Sequence, residues 1–300
     1  MNKGTLAGIG AYTLWGLFPI YWRLLESVPA IQILAHRIVW SLVFVAGILI
    51  LQKDFAWVRS TVRNRRTMLT YTVAAILLSI NWFTYIWAVN AGYVVEASLG
   101  YFINPLVNFM LGVIFFKEKL RGGQVMAVIL AVAGVIYLTV NYGSLPWISL
   151  VLAFSFGMYG LIKKSAALES MHGFSLETAV LFLPALIFLI YQGTAGTGAF
   201  LQNGVSVTVL LILAGPVTSI PLLMFGYAAR NIPLSMLGFI QYIAPTLQFL
   251  LGVYVYNEAF PTSRLVGFCI IWLALLLYTV EGVIYSRRLK VRPRLVEPLE

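Results

Sequence analysis

The chain is a series of apolar stretches, each close to twenty residues long, divided by short segments that hold almost all of its charge. Ten such stretches are read, at 4–22, 30–51, 68–89, 96–116, 122–141, 147–162, 177–193, 206–228, 233–254 and 265–285. A helix of ~20 apolar residues crosses the ~30 Å hydrocarbon core of a bilayer, and in lipid the backbone must satisfy its own hydrogen bonds. The pattern predicts an all-α integral membrane protein of about ten transmembrane helices. Composition bears on one point. Only 10% of residues are charged, against about 25% where a surface meets water.

The loops fix an orientation, because Lys and Arg are retained on the cytoplasmic side. With the N-terminus inside and ten alternating spans, all but three of the 20 basic residues fall on inner segments. These are Lys3; Lys53, Arg59, Arg63, Arg65 and Arg66; Lys117, Lys119 and Arg121; Lys163 and Lys164; Arg230; and Arg287, Arg288, Lys290, Arg292 and Arg294. Arg23 and Arg264 sit at outer helix ends and Arg37 lies inside the second span. An odd number of spans would place the C-terminal basic cluster outside, so both termini are expected in the cytoplasm. The net charge of +10 then reflects topology and anionic headgroups, not a nucleic-acid partner. The first apolar run contains Trp15 and Pro19 and reads as a retained helix, not a cleaved signal. The single cysteine, Cys269, leaves no intrachain disulfide.

The chain also repeats. A shift of 140 residues lays the fourth span on the ninth, matching Pro105 with Pro245, Phe109 with Phe249, Leu111 with Leu251, Gly112 with Gly252, Val113 with Val253 and Glu118 with Glu258. Trp15-Gly16 meets Phe156-Gly157 at a shift of 141. The expected units are repeat 1 over 1–142, repeat 2 over 143–286 and a basic cytoplasmic tail over 287–300. Five spans per unit is odd, so the second unit enters the membrane inverted. Inverted repeats are the usual basis of alternating access.

Trp15-Gly16, HRIVWS at 36–41, Asn81-Trp82, WAVN at 87–90, EASLGYFINPLVN at 96–108 and LGFIQYIAPT at 237–246 resemble the RarD group of EamA-type proteins, in the drug/metabolite transporter superfamily. The likeness spans nearly the whole chain. It implies ten helices, duplicated five-helix halves, solute export and a bacterial inner-membrane location. The group takes its name from chloramphenicol sensitivity, which assigns no natural substrate. Glu118 and Glu258 lack the glycine that precedes this acid elsewhere in the wider family.

Polar residues inside lipid are costly and mark function or packing. Tyr101, Asn104 and Asn108 share one helical face, and their repeat equivalents are Gln241, Ala244 and Gln248. Each stripe holds a proline, Pro105 or Pro245, expected to break the helix and free a carbonyl. With Asn81 and Tyr85 of the third span, Thr218 and Ser219 of the eighth and the wall residue Trp15, these form the expected substrate pathway; Trp82 and Phe156 are further wall candidates. The competing reading is helix-to-helix hydrogen bonding alone. Arg37 has three readings: snorkelling to headgroups, an ion pair with Glu96, or contact with an anionic solute. His36, ~100° round the helix, does not share its site. Glu118 and Glu258 read as acids for the N-terminal dipole of the following helix, and Glu177 and Glu281 as interfacial.

No HExxH, GxSxG or Walker A pattern occurs, and Asp54 is the only aspartate, so the chain reads as no enzyme, with no cofactor and no metal site. A transporter of small organic solutes or drugs is the favoured class, with a channel or sensory membrane module as the alternative. The partners are the solute and the lipid bilayer, and a homodimer is left open.

Overall fold

The computed structural model describes residues 3–116, 121–142, 144–164, 167–232 and 240–291. The described residues form helices and connecting turns, with no strand among them: α1 Lys3–Arg23, α2 Ala30–Gln52, α3 Ala56–Arg63, α4 Arg65–Asn90, α5 Val94–Phe116, α6 Gly122–Tyr142, α7 Trp147–Lys164, α8 Ser170–Thr194, α9 Val205–Asn231, α10 Ile243–Leu250 and α11 Thr262–Val291. A π-helical turn, Leu251–Val255, extends α10. Within α2, α4, α5, α6, α8, α9 and α11 lie seven segments long and apolar enough to cross a membrane, and Trp147–Lys163 and Ile243–Val255 are shorter apolar helices. At 21 residues, α1 is as long but less apolar.

The outer faces are lipid-like. Exposed apolar side chains recur at helical spacing, as Leu69, Val73, Ile76, Ile80 and Phe83 on α4, Ile129, Val132, Ile136 and Val140 on α6, and Leu273, Leu276, Val280 and Ile284 on α11. Stripes of this length are unfavourable in water and ordinary against acyl chains.

Three elements differ from expectation. The loop after α2 holds the short helix α3, where Trp57 and the basic Arg59 and Arg63 suit an interfacial position; Asn64 then caps α4, its Oδ1 accepting from Thr67 N at 3.1 Å. Helix α8 begins seven residues before the expected 177, because the polar residues there are satisfied: Ser175 Oγ donates to Met171 O and Thr178 Oγ1 to Phe174 O. Pro105 breaks nothing, since α5 runs continuously through it. Pro245 occupies the first turn of α10, where its missing N–H has no partner to lose. Glu118, Lys117, Lys119 and the tail beyond 291 lie outside the described residues.

Helix pairing is dominated by contacts between the two parts of the chain. α1 packs on α9 and α10, α7 on α4 and α5, α2 on α8 and α9, and α6 on α11. Glycines permit the close approaches. A Cβ on Gly16 would lie 2.7 Å from Leu247, and one on Gly157 3.0 Å from Val107. On Gly215 it would run into the Trp40 backbone of α2.

Candidate functional site

At the centre lies Arg37, two turns into α2, only 3% exposed. Its guanidinium carbon sits 3.9 Å from the ring centroid of Trp82 (α4), 5.1 Å from Trp22 and 5.8 Å from Phe18 (both α1). Nε and Nη1 are sealed from solvent and have no hydrogen-bond partner. The hydroxyls of Tyr21, Tyr85 and Tyr101 are close enough to act on its charge. Removing such an ion from water costs several kcal/mol. A desolvated cation–π contact is worth about 2 kcal/mol, so the cage offsets part of that cost and supplies no acceptor.

Two of the three readings of Arg37 therefore fail. The side chain is buried, so it does not snorkel. Nor does the structure bring it to Glu96, which lies in the first turn of α5. There Glu96 faces the Ile148 and Ser149 amides of α7 and the charge of Arg264, while its backbone carbonyl accepts from Ser149 Oγ at 2.6 Å.

The third- and fourth-span residues do converge beside this cage. Tyr101 OH donates to Asn81 Oδ1 at 3.2 Å, and Asn81 Nδ2 donates to Leu152 O at 3.0 Å and Ser155 Oγ at 3.1 Å. The Tyr85 and Tyr101 rings meet edge-on at 5.6 Å, and Phe156 stands 6.4 Å from Tyr101. Tyr85 OH and Trp22 Nε1 are buried and unpartnered. On α10, Gln248 Nε2 donates to Trp15 O at 3.0 Å. Gln248 Oε1 and Asn104 Oδ1 are buried without partners. Asn108 is exposed beside Gly157. The Trp15 ring packs 5.6 Å from Phe225 and 5.1 Å from Tyr12.

Other expected members stand apart. Ser219 Oγ donates to Gly215 O in its own helix, Thr218 is fully buried with its hydroxyl unpartnered, and Gln241 is only half-buried. His36 turns away to Phe200, at 5.0 Å between ring centroids.

Two acids play parts the sequence did not reveal. Glu177 is 1% exposed, not interfacial: Lys163 Nζ donates to its Oε1 at 2.7 Å and Tyr159 OH to its Oε2 at 3.1 Å. Glu258 caps a helix, but one from the other part of the chain, accepting from Val94 N at 2.6 Å and Val95 N at 2.8 Å at the start of α5. The left-handed Asn257, with φ of 52°, turns the chain so that this carboxylate reaches across. Burial pushes the Glu258 carboxyl above the usual range, against the opposing pull of the two amides, Arg264 and Arg23. Near this end a cavity of about 280 Å³ is lined by Trp87, Tyr93, Glu96, Trp147 and Arg264, away from the polar stripes.

Phe18 and Trp22 were missed as cage residues, although Trp15, Phe18 and Trp22 repeat at i, i+3 and i+7 on one face of α1. That spacing was the available signal. The roles of Glu258 and Glu177 left none, since their partners are distant in sequence.

The EamA-like transporter family matches residues 2–140. The protein RarD of Streptomyces exfoliatus is 47% identical over 99% of this chain and 94% of its own length. The uncharacterized transporter YojE of Bacillus subtilis is 47% identical over 96% and 97% respectively. A solved crystal structure, 18% identical, superposes with a TM-score of 0.58 over 93% of this chain and 96% of its own, a likeness of fold.

Proposed function

Because the chain belongs to the EamA-like transporter family as a RarD-type membrane permease, we propose that it carries small organic solutes across the bacterial inner membrane by alternating access. In this reading ten helices form two inverted five-helix halves. The first comprises α1, α2, α4, α5 and α6, the second α7 to α11, and both termini are cytoplasmic.

Pairwise packing supports the duplication. Exchanging each helix for its counterpart turns the α1–α9 contact into α7–α4 and the α1–α10 contact into α7–α5, while α2–α8, α5–α10 and α6–α11 map onto themselves; all of these pairs pack. Gly16 against Leu247 and Gly157 against Val107 are counterparts, the glycines at a shift of 141 and their neighbours at 140. Orientation is supported by one end of the bundle, which gathers Lys53, Arg59, Arg63, Arg65, Arg66, Arg121 and Lys163, consistent with a cytoplasmic face.

The observation that carries the reading is the buried cluster at the junction of the halves, where Arg37, Tyr85, Asn104 and Gln248 hold polar atoms without protein partners. A structural core would satisfy such atoms; a solute pathway leaves them for cargo. Trp15, Asn81, Tyr101 and Asn108 complete its walls. Glu258 on the α5 N-terminus closes the non-basic end, and opening that contact exposes the cluster to the other side.

Counterflow in proteoliposomes tests the class. A carrier saturates and is accelerated by solute on the trans side, whereas a channel shows neither. A reporter active only outside the cytoplasm, fused after Tyr285, should stay silent and one near Asn203 should signal; the opposite pattern overturns the topology.

A further inference from the structure

The acids within the described residues are engaged elsewhere or remote. Glu26 pairs with Arg23 at 2.9 Å, Glu281 with Arg121 at 2.9 Å, Glu177 with Lys163 and Asp54 with His172. Glu258 holds two amides of α5, Glu96 faces the start of α7, and Glu169 lies in the loop between α7 and α8. Among the described residues Arg37 is left as a buried cation with no counter-ion, and a guanidinium does not shed its proton in a protein. The unpartnered atoms on Arg37 and on the residues set against it are donors or hydroxyls, Arg37 Nε and Nη1, Trp22 Nε1 and Tyr85 OH, while the unpartnered acceptors Asn104 Oδ1 and Gln248 Oε1 belong to α5 and α10. The remaining surroundings are the faces of Trp82, Trp22 and Phe18.

We propose that the cargo is a small organic anion, a carboxylate or similar oxyanion joined to an apolar or aromatic body, whose anionic group is received by Arg37, Tyr85 and Trp22. The inference deepens the permease reading and rests on it. A carboxylate supplies what this cluster lacks, a negative charge and acceptors for its donors, and a guanidinium fork matches its geometry. Trp15, Phe18 and Trp22 line α1 over ~10 Å, at 1.5 Å per residue, and provide a wall for the apolar body. A cationic solute would be repelled, and a neutral one would leave the buried charge unpaired.

The test uses matched pairs of acid and amide: benzoate with benzamide, indole-3-acetate with its amide, and hexanoate with hexanamide. Affinities for the purified full-length protein in nanodiscs are read from thermal stabilisation and from tryptophan fluorescence, Trp22 and Trp82 being the reporters beside Arg37. At least one acid should bind ten-fold or more tightly than its amide. Arg37→Gln should erase that preference and Arg37→Lys should retain part of it. Tyr85→Phe and Trp22→Phe, which keep the charge, should each weaken the acid three- to ten-fold and leave the amide unchanged, so the inference stands exposed even if Arg37→Gln fails to fold. If no acid outbinds its amide, or the preference survives Arg37→Gln, the proposal is overturned. Counterflow separates the two claims: saturable exchange confined to neutral or cationic solutes sinks the anion and leaves the permease. Acid-selective binding with no exchange of any solute sinks the permease and leaves the anion site.

Discussion

Glu177 and Lys163 are unequal partners, and removing each should have unequal consequences. The carboxylate is 1% exposed, while the lysine side chain keeps 22% exposure near the end of α7. Lys163→Met leaves Glu177 with only the Tyr159 hydroxyl, and a buried charge stripped of its partner costs about 3–5 kcal/mol. Glu177→Gln keeps an acceptor for Tyr159 and leaves a cation that can turn toward water, at a cost of about 1 kcal/mol, the value of an ordinary hydrogen bond. At about 2–4 °C per kcal/mol for a large domain, Lys163→Met should lower Tm by roughly 6–20 °C and Glu177→Gln by roughly 2–4 °C. Replacing both by apolar residues, Lys163→Met with Glu177→Leu, removes the orphaned charge and should recover most of the loss. Melting the four proteins in one detergent, followed by size-exclusion recovery, gives the comparison. Equal losses from the two single changes, or a double variant less stable than Lys163→Met, would refute the asymmetry.

Other outcomes follow from contacts already described. Gly215→Val forces side-chain atoms into the Trp40 backbone of α2, and overpacking of this kind costs about 1–3 kcal/mol or more; folded yield should fall while Gly47→Val, with open space around it, is tolerated. Asn108→Leu and Gln248→Leu should each reduce transport at near-normal membrane abundance, and normal transport by both would return the stripes to a packing role. Glu258 has a raised pKa where it holds α5, so the closed form binds its proton more tightly than an exposed carboxyl. By linkage, acidifying that side through the window just above the ordinary carboxylate range should favour closure and alkalinity should release it. Labelling of a Trp87→Cys variant, divided by the rate in the Glu258→Gln background so that the thiol's own titration cancels, should slow as pH falls; a ratio that rises in acid would contradict the sign.

Hydropathy made the helices legible because lipid imposes one length and one surface chemistry on each. Where the sequence misled, the deciding contact was long-range. Glu177 looked interfacial because it lay at the inner end of its expected span, but α8 starts early and carries it inward. Arg37 and Glu96 looked like partners because both sat in outer halves of spans; the N-terminus of α7 takes up Glu96 instead. Pro105 looked like a break, yet one missing donor does not unwind a helix packed on α7 and α10. The convergence of Asn81, Tyr85 and Tyr101 was readable from helical spacing alone. The aromatic cage was half readable, since Trp82 was in view but the facing stripe of α1 was not.

Among the described residues α1, α2, α4, α5 and α6 each find their chief neighbour among α7 to α11, α1 with α9, α2 with α9, α4 with α7, α5 with α7 and α6 with α11. Contacts within either part, the Arg37 cage among them, are the smaller share of its packing. A fragment ending at Tyr142, made alone, presents to the bilayer the faces that its counterpart should cover, and its glycine contacts find nothing to meet. The peptide link through 143–146 should then set stoichiometry more than architecture: two fragments made in the same cell should assemble as one bundle, and either by itself should be depleted from the membrane.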